Sequence, residues 1–384
     1  MSIEGADIVG VVNLHNEGDS ATASLVSAWR AIEVARIRGL DAHLAIVLDS
    51  ADDQTLRTAL RWQEKYGTYL MTTNAGDLGL ARNAAAKSFD TKWLAFLDGD
   101  DLWGVDWLVA AHDAVLESSA GLRDVFHPQV NIIFGDHHSL LHHIDSTNPE
   151  FLWSRFCLHN AWTALSFVRR DLLLEMPYPK NDLSNGYGYE DWSWNMAVLD
   201  AGGRHRVVED TVHFIKRTNG DSLLGQSRQA LRTRYPSATK QATRPEDESS
   251  TPATAEVDAG THSTAPVELS PAVFRQIRMA TTIEPDVAKT LTAAGTPSSL
   301  PQNFNTHNTA PQFALEELWA LRTDSATIGE ICDQSRLLSP LHVDDRVKVV
   351  AEFLLTERAV GRPVGESVLI TEAIGALPQL ASRT

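Results

Sequence analysis

WLAFLDGDDLW, residues 93–103, is an apolar run that ends abruptly in three carboxylates. A short continuous apolar run bounded by a polar, glycine-containing turn is typical of a strand buried on both faces. Asp98, Asp100 and Asp101 follow that strand, and carboxylates so close together repel one another unless a cation lies between them. Hard divalent ions such as Mg²⁺ or Mn²⁺ take oxygen ligands of this kind. The stretch therefore predicts a strand with a metal site at its end, with a solvated acidic turn as the alternative.

The same pattern recurs on both sides of this stretch, where apolar runs alternate with segments of helical periodicity. The predicted strands are ADIVGVV (6–12), HLAIVL (43–48), TYLMTT (68–73), KWLAFLD (92–98) and NIIFG (131–135). The clearest predicted helices between them cover residues 52–66 and 78–88. This alternation indicates an α/β fold with a mainly parallel central sheet, in which ligands bind at the carboxyl ends of the strands.

Two further segments carry candidate chemistry. In NAGDLGLARNAAAKS (74–88), a glycine-containing loop leads into a helix with Arg82 in its first turns, where the guanidinium could meet a phosphate or a carboxylate. An ordinary helix start with a salt bridge is the alternative. In NGYGYEDWSWNMAVLDAGG (185–203), Glu190 and Asp191 stand at a predicted helix start. The helix dipole favours acids there, and one of them could also act as a general base.

Charge and cysteine content exclude several classes of protein. The 384 residues include 50 acidic and 33 basic ones, for a net charge of -17, so nucleic acid is not an expected partner. The two cysteines, Cys157 and Cys332, allow neither a disulfide framework nor a cysteine-based zinc site. The first residues do not resemble a signal peptide, and no apolar run reaches the ~18 residues of a membrane span. We therefore expect a cytoplasmic protein, with peripheral membrane contact left open.

Composition divides the chain into three parts. Residues 1–235 carry the α/β pattern and nine of the ten tryptophans. Residues 236–270 are acidic and poor in large apolar side chains, which predicts a disordered linker. Residues 271–384 show helical periodicity in PAVFRQIRMA (271–280) and later segments, which predicts a helical C-terminal region of unassigned role.

In their order along the chain, these motifs resemble the family 2 glycosyltransferases, which have the GT-A fold. The resemblance spans residues 6–220. NAGDLGLARN (74–83) is similar to the motif with which that family starts a helix, LDGDD (97–101) to its D-x-D metal motif, and GYEDW (188–192) to its acidic acceptor-side motif.

The resemblance implies an inverting transfer of a sugar from a nucleotide-diphosphate donor to a hydroxyl of a carbohydrate or glycoconjugate acceptor, with Mn²⁺ or Mg²⁺ as cofactor. Residues 1–130 would bind the nucleotide and residues 131–235 the acceptor. The family often has two adjacent acids after its second strand, whereas this chain has Leu48-Asp49, so a UDP-sugar is only the favoured donor. A protein of the same fold that binds nucleotide or carbohydrate without catalysis is the alternative.

The resemblance also implies roles for single residues. Asp191 would be the general base, with Glu190 beside it. Metal ligands would be Asp98, Asp100 and the late histidine His213. The acceptor would contact Trp162 and Trp192, although tryptophan is equally at home in a core. Donor-binding residues would be Asn13, His15, Asn16, Glu17, Asp49, Gly76, Arg82, Asp98, Lys216 and Arg217.

Overall fold

The computed structural model describes residues 3–117, 123–136, 139–149, 151, 156, 160–182, 188–217, 267–287, 299–300, 327–334 and some positions between 346 and 376. Most of the predicted linker 236–270, much of the region 271–384 and Cys157 lie outside the described residues. Among the described residues, no helix combines the length and apolar character needed to cross a membrane.

Strands and helices alternate along the N-terminal part of the chain. In order they are β1 (Ala6–Leu14), α1 (Ala21–Ile37), β2 (Ala42–Asp49), α2 (Asp53–Tyr66), β3 (Tyr69–Thr73), α3 (Leu78–Ser88), β4 (Thr91–Asp98), β5 (Leu102–Trp103) and α4 (Trp107–Glu117). The predicted strands and helices of this part are all present, with ends that differ by no more than two residues. Continuous apolar runs thus identified the buried strands correctly.

The remaining elements are less regular. They are β6 (Asp124–Gly135), β7 (Ser139–His142), β8 (Phe167–Arg169), α5 (Arg170–Glu175), α6 (Glu190–Asp200), β9 (Arg204–Arg217), β10 (Val267–Glu268), α7 (Pro271–Thr281), β11 (Ser299–Leu300) and α8 (Ile328–Gln334). Strand β6 begins well before the predicted NIIFG segment. A shift in its register beside β9 falls between Pro128 and Val130, because proline cannot donate to the ladder.

Nine strands form one mixed sheet in the order β3-β2-β1-β4-β8-β6-β9-β5, with β7 beside β6. Strands β1, β2, β3 and β4 run parallel to one another. Strand β8 lies between β4 and β6 and runs antiparallel to both. Asn13 pairs with Asp98, and Leu14 with Leu48, so β1, β2 and β4 end side by side. The predicted α/β class is confirmed, and its parallel half brings the polar strand ends together.

Helix α7 packs on the sheet of this α/β unit. Its Val273 and Ile277 lie in one buried cluster with Phe214 of β9, and Gln276 Nε2 donates a hydrogen bond of 2.7 Å to the Asp210 carbonyl. Strand β10 begins at Val267, inside the stretch 236–270 that composition predicts as a linker. A two-residue strand leaves no periodic signal in a sequence, so the start of this packed segment could not be predicted.

Candidate active site

The site lies where β1, β2 and β4 end. Gly99 lets the acidic loop, residues 98–101, pack against the end of β1, since a Cβ atom there would lie 2.7 Å from Leu14 Cδ2 and 2.9 Å from the Asn13 carbonyl oxygen. The same Cβ would lie 2.8 Å from the carboxyl carbon of Glu17. A side chain at this position would push the loop away, so glycine brings the carboxylates of the loop to Glu17.

Three of the predicted donor residues lie in the loop after β1, and a fourth, Asn13, lies near the end of that strand. His15 Nδ1–H donates to the Asp49 carbonyl at 2.6 Å, and the His15 amide donates to Glu17 Oε2 at 2.6 Å. The Asn16 side chain accepts a hydrogen bond from the Asp52 amide at 3.2 Å. Burial, with a smaller contribution from nearby Asp100, raises the pKa of Glu17. The side chain of Asn13 is buried, and its amide atoms have no partner in the described part of the chain.

Asp49 holds the loop that leads into α3. Its Oδ1 accepts hydrogen bonds from the amides of Ala75 at 2.7 Å and Gly76 at 3.1 Å, and its Oδ2 accepts one from Asp77 at 3.2 Å. Three amide donors keep this carboxylate fixed at the end of β2. The structure therefore assigns Asp49 a part in shaping the loop, and its contact with a nucleotide base stays a prediction.

Arg82 joins the acidic loop to the start of α6. Its guanidinium is completely buried and donates from Nη2 to Asp98 Oδ1 at 2.7 Å and from Nη1 to Glu190 Oε1 at 3.3 Å. The other Glu190 oxygen accepts from Asn181 Nδ2 at 2.9 Å. Gly79 permits this approach, because a Cβ there would lie 2.8 Å from Glu190 Cγ. Of the two predicted roles for Arg82, the structure shows the salt bridge.

Glu190 and Asp191 turn towards different partners. Tyr189 before them has a left-handed backbone with φ of 60°, and α6 begins at Glu190. Glu190 points to Arg82, whereas Asp191 Oδ2 accepts a hydrogen bond of 3.0 Å from Asn160 Nδ2. Burial and then the Asp191 charge raise the pKa of Glu190 to about 7, against the opposing effect of Arg82. Burial also raises the pKa of Asp191.

The end of β9 is tied to the acidic loop by Asp101. This buried carboxylate accepts a hydrogen bond of 2.8 Å from the Lys216 amide, and burial raises its pKa well above the usual range. Asp100 beside it is exposed. Desolvation by the surrounding protein and the charge of Asp98 also raise the pKa of Asp100, and the positive charge of Arg217 opposes the rise at both carboxylates. Lys216 Nζ lies 4.0 Å from Glu284 Oε2. Both predicted cations therefore act on the acidic loop, and Arg217 acts more strongly than Lys216.

The two tryptophans predicted to contact the acceptor belong to the core. Trp162 is 0 % exposed, donates from its indole to the Ile144 carbonyl at 2.7 Å, and stacks on His205 with ring centres 4.0 Å apart. Trp192 is 2 % exposed and donates to the Phe156 carbonyl at 2.9 Å. Neither ring offers a face to an acceptor, which corrects the prediction; each instead satisfies its indole N–H inside the protein.

His213 is buried in β9, where it pairs with Trp103 of β5. Its ring is buried edge-on against Trp107 of α4, with centres 4.6 Å apart, and burial lowers its pKa well below the usual value. Neither ring nitrogen has a hydrogen-bond partner among the described residues. Within the described ranges, no group of three or more histidine, cysteine or acidic side chains is arranged to hold a metal ion. The role of His213 as a metal ligand stays a prediction.

Three buried histidines lie together beside β6 and β9, with a hydrogen bond between His127 and His205 and a ring contact of 5.5 Å between the centres of His127 and His143. His205 Nε2–H donates to the Asn195 carbonyl at 3.2 Å, so its Nδ1 accepts from His127 Nε2–H at 2.8 Å. His143 Nδ1–H donates to the Pro128 carbonyl at 2.7 Å. Burial is the main cause that lowers the pKa of His143 to about 4 and that of His205 to about 3. The folded protein therefore holds these rings neutral.

Acid should destabilise the protein through this cluster. Below pH ~6.5 the unfolded chain binds a proton on His143 that the folded chain refuses, so wild type should lose ~2 kcal/mol more than His143→Asn between pH 7 and pH 5. An asparagine amide could still donate to Pro128 and does not titrate. The raised pKa values of Glu190 and Asp191 act in the opposite direction in both proteins, so urea unfolding of the two is compared at each pH. An equal pH dependence of the free energy of unfolding in wild type and His143→Asn would contradict this account. The control is His112→Gln on α4.

A comparison with protein families covers the first two of the three motifs. The family model described as "Glycosyl transferase family 2" matches residues 11–151, which include Asp49, Arg82 and the acidic loop. The comparison with curated protein sequences gives no match.

Solved structures with a similar fold include S. aureus TarS, with 15 % identity and a TM-score of 0.42 over 90 % of this chain and 52 % of that one. GalNAc-T7 with UDP, GalNAc and Mn²⁺ has 16 % identity and a TM-score of 0.41 over 59 % of this chain and 47 % of that one. Mannosyltransferase PcManGT from Pyrobaculum calidifontis, in complex with GDP-Man and Mn²⁺, has 14 % identity and a TM-score of 0.43 over 90 % and 87 %. The chain spans about half the length of the first two. Over residues 11–151, this chain is similar to glycosyl transferase family 2.

Proposed function

We propose that this protein transfers a sugar from a nucleotide-diphosphate donor, with a UDP-sugar favoured, to a hydroxyl of a carbohydrate or glycoconjugate, with inversion. One observation supports this most directly. Arg82 contacts both Asp98 of the acidic loop and Glu190 of α6, so the donor-side and acceptor-side acids share one buried network. A sugar whose diphosphate lay at the acidic loop would then have its anomeric carbon between the two motifs.

Asp98 and Asp100 fit a divalent ion of the kind that shares its ligands with a diphosphate. Mg²⁺ is commonly held by one or two carboxylates together with substrate phosphates and water. Asp100 is exposed, and Asp98 uses Oδ1 for Arg82 while its side chain stays 28 % exposed. Two accessible carboxylates without a third protein ligand in the described residues match that pattern. When bound, Mn²⁺ or Mg²⁺ would neutralise charge on the leaving diphosphate.

The chain's own residues would carry out the remaining work. The loop 13–17 and Asp49 would bind the nucleotide, and Arg217 would face the diphosphate beside Asp100. Asp191 would take the proton of the acceptor hydroxyl. In the same step the oxygen of that hydroxyl would bond to the anomeric carbon from the face opposite the diphosphate. The bond from that carbon to the phosphate oxygen breaks in the same step, and the nucleoside diphosphate leaves. A single displacement of this kind inverts the configuration.

Asp100→Ala should abolish metal-dependent donor binding and leave the fold intact. A ligand at 100 times its Kd adds ~2.7 kcal/mol to stability, so wild type in Mn²⁺ should melt higher with a bound donor from a panel of UDP-N-acetylglucosamine, UDP-glucose and GDP-mannose. EDTA should remove that rise, and Asp100→Ala should not show it. Without ligand, the variant should melt at least as high as wild type, because removing one of several like charges relieves repulsion.

Asp113→Ala on α4 is the control, since its carboxylate lies 3.6 Å from Arg38 on an exposed surface. Full donor affinity of wild type in EDTA would exclude the metal-dependent mode of binding. Donor binding without release of nucleoside diphosphate, even when acceptor sugars are added, would favour the alternative of a binding protein without catalysis.

A further inference from the structure

Asn160 is fixed by the core on one side and contacts Asp191 on the other. Its Oδ1 accepts hydrogen bonds of 3.4 Å from the Trp162 amide and from Asn195 Nδ2. Because both of those partners are donors, the oxygen of the Asn160 side chain must face them. The NH₂ group therefore faces Asp191, to whose Oδ2 it donates at 3.0 Å.

The partners of Asn160 are themselves held in place. The Trp162 indole is buried and bonded to the Ile144 carbonyl at 2.7 Å, and the Asn195 carbonyl accepts from His205 at 3.2 Å. A side chain anchored to such groups has little freedom to follow a moving carboxylate. Asp191 is thus held against a rigid amide on the core side of the site.

The two adjacent acids differ in the kind of donor they receive. Glu190 is paired with the cation of Arg82, which favours its ionised form, whereas the side chain that donates to Asp191 is a neutral amide. Burial raises the pKa of Asp191 against the charge of Arg82, and the side-chain hydrogen bond that orients this carboxylate comes from a neutral amide. Such a partner suits a group that must accept a proton during the reaction.

We propose that Asn160 is a positioning residue that holds Asp191 in the orientation for proton transfer from the attacking hydroxyl. This inference rests on the proposed function. It adds a residue outside the acidic motifs, in the segment before β8, to the machinery of the reaction. Other charged or titratable groups facing Asp191 are Glu190 on its own helix, Arg82 of α3, Asp98 of β4 and Tyr178.

The test uses water as the acceptor, so it does not depend on knowing the natural one. Release of nucleoside diphosphate from UDP-N-acetylglucosamine, or from whichever donor of the panel binds, is followed in Mn²⁺ over pH 5–9. Asn160→Ala should lower kcat by ~10–100-fold with little change in donor KM, because the misplaced base affects the chemical step. The acidic limb of the kcat profile should move to higher pH, since the charged form of Asp191 loses a hydrogen bond.

Asn181→Ala is the matched control, because it removes the same kind of donor from Glu190 instead. It should leave the acidic limb where wild type has it. Asn160→Asp covers the case in which the alanine variant unfolds: it keeps the shape, places a like charge beside Asp191, and should move the limb further than alanine does.

The possible outcomes separate the two proposals. An active wild type whose kcat and acidic limb are matched by the folded Asn160 variants would show that Asn160 does not position the base. A limb that moves in Asn181→Ala and not in the Asn160 variants would assign the base role to Glu190 and overturn the inference. A wild type that binds donor yet releases no nucleoside diphosphate, either in water or with acceptor sugars added, would refute the proposed function itself, and with it the role of Asn160.

Discussion

Asp191→Asn should lower kcat by ~10²–10⁴-fold, the usual contribution of a general base, with donor affinity and Tm close to those of wild type. The amide oxygen left by the substitution can still accept the hydrogen bond from Asn160 Nδ2, which spans 3.0 Å in the wild type. The shape of the site and the start of α6 are therefore preserved. An amide cannot take up the proton of the acceptor hydroxyl, so only the chemical step is lost. Nucleoside diphosphate release at saturating donor measures kcat directly.

Glu190→Gln separates the roles of the two acids. Both oxygens of Glu190 are already engaged, one by Arg82 at 3.3 Å and the other by Asn181 at 2.9 Å. We therefore expect this variant to affect stability more than turnover. Its free energy of unfolding should fall by ~1–3 kcal/mol, because a hydrogen bond between charged groups is weakened. Near-normal turnover in Asp191→Asn together with collapse in Glu190→Gln would show that Glu190 is the base. If neither variant slows the reaction, the enzymatic function itself is contradicted.

Arg82→Met should reduce the free energy of unfolding by ~3–5 kcal/mol, which corresponds to a fall in Tm of roughly 10 °C. The guanidinium is completely buried between Asp98 at 2.7 Å and Glu190 at 3.3 Å. Methionine fills much of the same volume and leaves both carboxylates without their cation. Arg82→Lys should restore only part of the loss, because one ammonium group cannot reproduce the fork of donors that reaches two acids. Urea unfolding of the three proteins gives the comparison.

Arg61→Met provides the matched control for that experiment. Arg61 pairs with Asp19 on the surface, where both side chains are 64 % exposed, so its loss should cost less than ~1 kcal/mol. The double variant Arg82→Met/Glu190→Gln should regain part of the stability, because it removes one of the two stranded charges. A single Arg82→Met protein as stable as wild type would show that the buried network does not stabilise the fold.

Local signals made the parallel half of the fold predictable. Buried parallel strands are continuous apolar runs, and the helices between them begin at capping residues that can be seen in the sequence. Asp52 accepts the Thr55 amide at the start of α2, and Asp77 accepts the Leu80 amide at 2.9 Å at the start of α3. Strand β6 was predicted too short because Pro128 interrupts the strand pattern in the sequence. The sheet accommodates this proline at a register shift beside β9.

Side-chain exposure was not predictable in the same way. An aromatic residue next to an acidic motif can face a ligand or the core, and the composition of the segment is the same in both cases. Trp162 and Trp192 can be buried because the backbone carbonyls of Ile144 and Phe156 accept hydrogen bonds from their indole groups. His213 likewise packs on Trp107 of α4, which is far from it in the sequence.

By itself the sequence determined the element order of residues 6–98, the resemblance to family 2 glycosyltransferases, and the acidic motifs, because each of these is a pattern of neighbouring residues. Tertiary structure alone decided that Arg82 pairs with Glu190 as well as Asp98, that Asp101 ties down the end of β9, and that Asn160 holds Asp191. These contacts join residues far apart along the chain. They depend on which strands become neighbours and which faces are buried, and no local pattern of residues carries that information.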